Sequence, residues 1–301
     1  FPDGADFTID DVAESFQHQE VVSDFRTKYD YDNLLYAIAG EVVHQVSGKS
    51  WSEFVESEIM KPLGMNESAG LVERLSSEKN IAASHGILEG KLSVIPTFQI
   101  NEVGASAGGI YASVHDLSKW MLMHLNDGIH LKDTIIQKPT HDHMWRPHTN
   151  MRFNHKPAPE YQNHFEAYGL GWKLKDVKGN IVISHTGGLP GMLSQTILIP
   201  EMDLGIVVLT NAAPGGYSFH SIPTMILESY MELPKIDHIS NMVKYINSSL
   251  NNEDSIVSAV WAKCDNNTTK HLALDQYVGT YNDSWFGDVE IKIEGDDLYF
   301  H

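Results

Sequence analysis

From Asn33 onward, apolar residues recur at intervals of three and four. Leu35, Ile38, Ala39, Val42 and Val46 share one face of a predicted helix, and Gly48 can close it in the left-handed conformation. Ser50 with Glu53 three residues on is a capping-box signature. Trp51, Phe54, Val55 and Ile59 then give a second helix its apolar face as far as Pro62-Leu63-Gly64. Ahead of both, Thr8 predicts a short helix through Val12 and Phe16. Ser113, with Asp116 at the third helical position, opens a later helix whose stripe is Leu117, Trp120, Met121, His124 and Leu125. Asn126-Asp127-Gly128 ends it. Residues 66–103 are weakly periodic and predict a surface wrap, and residues 130–165, rich in histidine and proline, predict a loop.

The period then changes to two. Tyr168 to Val177 and Ile181 to His185 predict strands about a Gly179-Asn180 turn. Leu193 to Ile199 and Gly205 to Thr210 predict two more about Pro200 to Asp203. Strands joined by tight turns make an antiparallel meander. The amphipathic stretch 219–231 (Ile222, Met225, Ile226, Leu227, Tyr230) predicts a helix packed across it. Helices and strands segregated in this way imply an α+β fold. Residues 236–262 predict another helix, followed by a polar linker, Cys264 to Lys270, and short strands from Asp275. An unfinished sheet there would leave an open edge.

Composition narrows the function classes. The chain has 301 residues, 42% hydrophobic and 20% charged, enough for a sizeable core and about two domains. A formal net charge of −19 repels polyanions, which argues against nucleic acid or an anionic membrane surface as partner. No apolar run approaches the roughly 20 residues of a membrane span. The single cysteine, Cys264, excludes an internal disulfide. The chain starts at Phe1 without an initiator methionine and stops at His301 just after Leu298-Tyr299-Phe300, so both ends are expected to be cut.

Two stretches carry candidate chemistry. Ile181 to Gly191 ends a β-branched run in His185-Thr186-Gly187-Gly188, so a strand delivers a titratable ring, a hydroxyl and two residues without a Cβ to one place. Tyr31-Asp32-Asn33 stands directly before the first long helix, where the helix start holds side chains rigidly. A phenol titrates near 10, so Tyr31 can act as a base at neutral pH only beside cations that lower its pKa. Asn33 offers both donors and an acceptor. Taken singly, each motif is as well explained by a helix cap or a glycine-rich loop.

In order along the chain, however, Tyr31-Asp32-Asn33 is followed by Ser47-Gly48-Lys49-Ser50-Trp51 and Lys61-Pro62-Leu63-Gly64-Met65. Ala107-Gly108-Gly109-Ile110 then leads into Asp116-Leu117, with Tyr168-Gly169-Leu170-Gly171-Trp172 and His185-Thr186-Gly187-Gly188 beyond. This series resembles the serine β-lactamase-like family: class C β-lactamases, low-molecular-weight penicillin-binding proteins, D-amino peptidases and related esterases. The resemblance covers about residues 10–230, and the tail from about 236 resembles the helix and lipocalin-like C-terminal domain of some members. It implies a β-lactamase/transpeptidase-like antiparallel sheet with helices, N-terminally truncated, over residues 1–235. A helix and linker would follow at 236–270, then the incomplete start of a small β-domain at 271–301.

The resemblance also implies roles. A Ser-x-x-Lys serine attacks a carbonyl to give an acyl-enzyme, while the lysine and the Tyr-x-Asn tyrosine relay the proton. Tyr31 would be that tyrosine, and Asn33 the amide contacting substrate and lysine. His185 stands where many members have the lysine of Lys-Thr-Gly. Thr186 and Gly187 would line the substrate, Gly188 N–H would be one oxyanion donor, and the strand through His185 could pair with a peptide. No Ser-x-x-Lys precedes Tyr31, and Ser76-Ser77-Glu78-Lys79 falls after it in a loop-like region. The expectation is therefore a serine hydrolase acting on a D-aminoacyl peptide or small ester, less readily on a β-lactam, whose nucleophile is outside the fragment. The fragment alone would be inactive.

The alternative is a non-catalytic module that keeps the cleft for a ligand or peptide. Gly104-Ala105-Ser106-Ala107-Gly108 matches a hydrolase elbow, but no helix is predicted to start directly after Ser106. His141, His143, His148 and His155 lack a carboxylate or cysteine at ligand spacing, so no metal and no cofactor is expected. Expected partners are a small-molecule or peptide substrate, and open sheet edges would allow self-association. The resemblance favours a secreted or cell-envelope location.

Overall fold

The computed structural model describes residues 7–75, 80–88, 90–152, 159–212, 218–265, 272–283 and 287–300. Its helices are α1 (Ile9–Ser15), α2 (Asn33–Ser47), α3 (Trp51–Val55, continued by a π-helical stretch Glu56–Met60) and α4 (Glu102–Gly108). They continue with α5 (Val114–Leu125), α6 (Lys138–Met144), α7 (Ser218–Tyr230) and α8 (His238–Asp265). The strands are β1 (His85–Leu88), β2 (Lys91–Val94), β3 (Ile129–His130), β4 (Asp133–Thr134), β5 (Thr149–Asn150), β6 (Glu166–Tyr168) and β7 (Lys173–Val177). After them come β8 (Asn180–Leu189), β9 (Met192–Ile199), β10 (Leu204–Thr210), β11 (Gly279–Asp283), β12 (Gly287–Glu294) and β13 (Asp297–Phe300). No helix among the described residues is long and apolar enough to cross a membrane.

The chain divides into two units, Ser23–Ile239 and Phe1–Val22 with Ser240–His301. The second holds α1, closed by a Thr8–Asp11 capping box, most of α8, and an antiparallel β11-β12-β13 sheet. Cys264 is exposed near the end of α8.

The larger unit is α+β around a six-stranded antiparallel sheet in the order β10-β9-β8-β7-β6-β5. Its central strand, β8, is buried on both faces. Val182 packs with Ile197, Ile206 and Leu227 of α7, whereas Ile183 packs with Leu174, Leu198 and Met121 of α5. Adjacent residues serve opposite layers because side chains alternate along a strand. The β7–β8 turn is Lys178-Gly179, both at positive φ, one residue earlier than the spacing predicts. The predicted strand 168–177 is broken at Gly169-Leu170-Gly171, with Gly171 at φ +78°.

Structure also stands where no element is predicted. Residues 85–94 form the β1–β2 hairpin, and 102–108 are helical because Asn101 caps α4 by accepting Gly104 N–H at 3.2 Å. The 130–165 stretch contains α6 and β5, since Pro139 lies in the first turn, where its missing N–H costs nothing. Ser113 caps α5 as predicted, but the Asp116 carboxylate does not reach back to it. It is buried and accepts Glu67 N–H at 2.7 Å, Ser68 Oγ at 2.9 Å and Lys119 Nζ at 2.9 Å.

Two close contacts set the helical layer. Gly40 of α2 faces Ser106 of α4 so closely that a Cβ on Gly40 would lie 2.7 Å from the Ser106 Cβ. Glu102 ties α4 to α3 by accepting Ser52 N–H at 3.0 Å and Ser52 Oγ at 2.6 Å. Beneath α5, His124 and His141 are both buried and share a 3.1 Å Nδ1–Nε2 hydrogen bond beside Trp120, Trp145 and Trp172. Burial, then the neighbouring His141 ring, lowers the pKa of His124 to about 3.

Gly40→Ala is expected to destabilise the chain by about 1–2 kcal/mol despite the better helix propensity of alanine, because α2 and α4 must separate. A neutral or higher denaturant midpoint would show that they part freely. His124 stays neutral when folded, yet protonates below about pH 6.5 when unfolded. The unfolded chain thus binds more protons as pH falls, and stability declines from about pH 6.5 towards the folded pKa. His124 is expected to account for about 2 kcal/mol lost by roughly pH 5. His124→Gln, which keeps a partner for His141, should flatten that slope in urea titrations, and an unchanged slope would contradict the assignment.

Candidate active site

β8 carries His185 two residues beyond Ile183, on the sheet face turned towards α5. α4 packs against β8 and α2 against α4, with Gly40 permitting the approach. The N-terminal end of α2 is fixed by Asp32, whose carboxylate accepts Leu34 N–H at 2.8 Å. Tyr31 is thereby held with its ring centroid 6.1 Å from that of His185. The two motifs far apart in sequence meet at one place.

Three further tyrosines complete the site. Tyr31 lies 5.7 Å from Tyr36 and 6.2 Å from Tyr168, and Tyr29 lies 5.3 Å from Tyr168, all between ring centroids. The Tyr168 hydroxyl is 2.8 Å from His185 Nε2 and 2.9 Å from the Tyr36 hydroxyl. His185 Nδ1 is 2.7 Å from the Thr186 carbonyl oxygen. Tyr168 belongs to the Tyr-Gly-Leu-Gly-Trp motif but carries no chemistry in the sequence reading. Tyr29 and Tyr36 flank Tyr31 at spacings that match no motif.

Burial, then Tyr36 and Tyr29, raises the Tyr31 pKa above its ordinary value, although the residue is 42% exposed. Its phenol is therefore protonated at neutral pH. Among the described residues no cation opposes that shift. Burial and the Tyr36 hydroxyl push Tyr168 well above the usual phenol range. Burial foremost, and Lys173 to a smaller extent, lowers the pKa of His185, and the hydrogen bond to Thr186 partly offsets them. The site at rest is a set of neutral polar groups.

Asn33 is the first residue of α2, exposed and two positions from Tyr31. Thr186 pairs in register with Gln195, whose Oε1 accepts a 2.8 Å hydrogen bond from His220 of α7, so the Thr186 side chain shares the α7 face. Gly187 and Gly188 are exposed at the end of β8. A Cβ on Gly187 would lie 2.5 Å from Ser194 Oγ, so a side chain there would require the cross-strand Ser194 hydroxyl to rotate away. Ser106 lies inside α4 with its hydroxyl donating to Tyr36 O at 2.8 Å, which is not the strand-to-helix turn of an elbow. Ser76 to Lys79 and His155 fall outside the described residues.

Among the described residues, two groups bring three metal-competent atoms within 4.8 Å: Glu67, His115 and Asp116, and Asp127, His141 and Asp142. In each, a lysine ammonium already pairs with a carboxylate, Lys119 with Asp116 and Lys138 with both Asp127 and Asp142. His148 Nε2 bonds to His143 O at 2.8 Å.

The antiparallel sheet flanked by α5 and α7, with a helical layer that delivers Tyr31 to the central strand, is a β-lactamase/penicillin-binding-protein-like fold. It aligns with an octameric penicillin-binding protein homologue from Pyrococcus abyssi at a TM-score of 0.60 and 23% identity, over 93% of this chain and 54% of that one. The chain belongs to the Beta-lactamase family, whose model matches residues 1–228. A second model, Domain of unknown function (DUF3471), matches residues 263–301. Similar proteins include unguisins hydrolase ungD' of Aspergillus campestris, 24% identical over 69% of this chain and 38% of that protein. D-alanyl-D-alanine-carboxypeptidase/endopeptidase AmpH of Escherichia coli K12 is 22% identical over 61% of this chain and 45% of that protein. The chain thus spans about two fifths of the length of the curated relatives it matches.

Tyr31 is expected to ionise above the usual value of about 10. In alkaline absorbance titrations, Tyr31→Phe should remove a component above that midpoint. Loss of an ordinary or early component instead would mean that a cation reaches the phenol.

Proposed function

We propose that this chain forms the walls of a serine acyl-transfer site that hydrolyses an amide or ester, with the attacking serine on a Ser-x-x-Lys segment outside these 301 residues. The observation that carries the reading is the 6.1 Å approach of Tyr31 to His185 within a β-lactamase-like fold. Tyr31 exchanges protons with the nucleophile and leaving group, and Asn33 holds the substrate amide and the lysine. Gly188 N–H faces the oxyanion, and Gly187 carries the backbone that runs beside the acyl chain. Thr186 contributes its carbonyl to His185 and its backbone to the substrate strand. The raised pKa of Tyr31 fits a site awaiting a lysine ammonium, since only an added cation would turn this phenol into a base at neutral pH.

The substrate class follows from the resting charge. A permanent cation would grip a carboxylate, as on a β-lactam, whereas His185 is neutral by burial. A D-aminoacyl peptide or small ester, whose scissile bond need not adjoin a carboxylate, fits better. The same reading divides the chain into residues 1–235, 236–270 and 271–301, with family matches ending at 228 and beginning at 263 in support. It also includes self-association along β10, the last strand in the sheet order.

The test is covalent labelling with a fluorophosphonate and a fluorescent penicillin, read by mass spectrometry. The 301-residue chain should remain unlabelled, while the full gene product should be acylated at a serine followed three residues later by lysine. In that product, Tyr31→Phe and His185→Ala should each lower kcat/KM on a D-aminoacyl amide by about 10²–10⁴-fold. Acylation of the 301-residue chain itself would refute the proposal. A full product that binds peptide but never labels would instead make the cleft a binding module.

A further inference from the structure

The hydrogen bonds around His185 have only one consistent polarity when the ring is neutral. The Thr186 carbonyl can only accept, so His185 Nδ1 carries the hydrogen of the 2.7 Å bond. Nε2 is then bare and accepts from Tyr168 O–H at 2.8 Å. With its hydrogen committed, the Tyr168 oxygen must accept from Tyr36 O–H at 2.9 Å. The order is fixed from Tyr36 through Tyr168 to His185 and on to the β8 backbone.

We propose that Tyr36, Tyr168 and His185 form a proton relay, in which Tyr168 positions the imidazole as the Nδ1–H tautomer and passes protons to and from its Nε2 atom. A proton arriving on the Tyr36 oxygen forms an O–H bond there, and the original Tyr36 hydrogen moves to the Tyr168 oxygen. The Tyr168 hydrogen moves to Nε2. The result is one imidazolium with both hydroxyl bonds reversed, with no electron transferred and no heavy atom displaced. The ring of Tyr31 lies 5.7 Å from that of Tyr36, so the cleft phenol adjoins the head of the chain. The use of this relay, to store the nucleophile's proton until the leaving group takes it, rests on the acyl-transfer reading, but its existence does not.

The surroundings suit temporary storage. The groups facing the ring are the phenols of Tyr31 and Tyr168, with Tyr29 packed on Tyr168, and the ammonium of Lys173 on β7 acts on it from a neighbouring strand; none of them favours the charged ring at rest. The one carboxylate on α4, Glu102, is held by Ser52 of α3. Among the described residues no carboxylate pairs with His185, so a proton placed on it meets no counter-ion there and is returned readily. Reversal gives the imidazolium a charge-assisted bond to Tyr168, stronger than the neutral bond it replaces.

That asymmetry separates a relay from a plain structural contact. The 301-residue chain, labelled with ring-¹⁵N histidine and assigned with His185→Gln, would be titrated by long-range ¹H–¹⁵N correlation spectra. Unsubstituted protein should show bare Nε2 and protonated Nδ1 at neutral pH. Tyr168→Phe should lower the His185 midpoint, a change of about three- to tenfold in its acid constant, because the imidazolium loses more than the neutral ring. Tyr36→Phe should lower the midpoint too while leaving the resting Nε2 shift unchanged, since it removes only the acceptor needed for reversal. An Nε2–H resting tautomer, or a midpoint that rises or stays fixed in Tyr36→Phe, would overturn the relay, and Tyr36→Phe decides even if Tyr168→Phe does not fold. Neither readout needs turnover, so failure of the serine probes to label leaves the relay standing, and failure of the relay leaves the acyl-transfer reading intact.

Discussion

Two-sided burial of β8 is the constraint on which the larger unit depends. Val182 serves the α7 layer and Ile183 the α5 layer, and neither can move to the other without dragging the whole strand. A slip of one residue would turn every side chain to the opposite face. His185 would then exchange places with Thr186, and the ring would point at α7 instead of the tyrosines. The approach of His185 to the tyrosines is thus a by-product of core packing further down the same strand. It needs no local device at the histidine beyond the hydrogen bond to Thr186.

The second controlling feature is charge. A chain with a formal net charge of −19 has gathered four phenols and an imidazole at one place, and Tyr29, Tyr31, Tyr168 and His185 are all neutral there at neutral pH. Burial raises the phenols of Tyr29, Tyr31 and Tyr168 and lowers the ring, so these four groups are pushed towards their neutral forms by the same cause. Such a site is quiet until a cation enters it. A lysine ammonium near Tyr31 would lower that phenol directly, and the tyrosine–histidine chain would give the displaced proton somewhere to go.

What could be read from sequence tracks how local its physical cause is. The α2 helix, its Gly48 cap and the Ser50–Glu53 box are set by neighbours within four residues and stand where predicted, but the apolar stripe does not mark the buried face of α2: Leu35, Val42 and Val46 are exposed, and Ala37 and Gly40 are buried. The meander likewise follows from alternation and tight turns. Tyr31 and His185 are legible as candidate chemistry, whereas Tyr168 is legible only as a motif residue and Tyr36 not at all, because the bond between them joins residues 132 apart with no spacing to mark it. The Asp116 carboxylate illustrates the same limit. Local rules hand it to Ser113, but burial beside Glu67 and Ser68 gives it three better donors. The β1–β2 hairpin and α4 went unseen because short elements held by tertiary contact carry little periodicity.

Cys264 has a practical consequence for any study of assembly. It is exposed, and it is the sole thiol in the chain, so no intramolecular partner can compete for it. In air-oxidised solution two molecules can be stapled together through α8, regardless of whether any folded surface holds them. A dimer band that vanishes with reductant would therefore describe sulfur chemistry rather than subunit architecture.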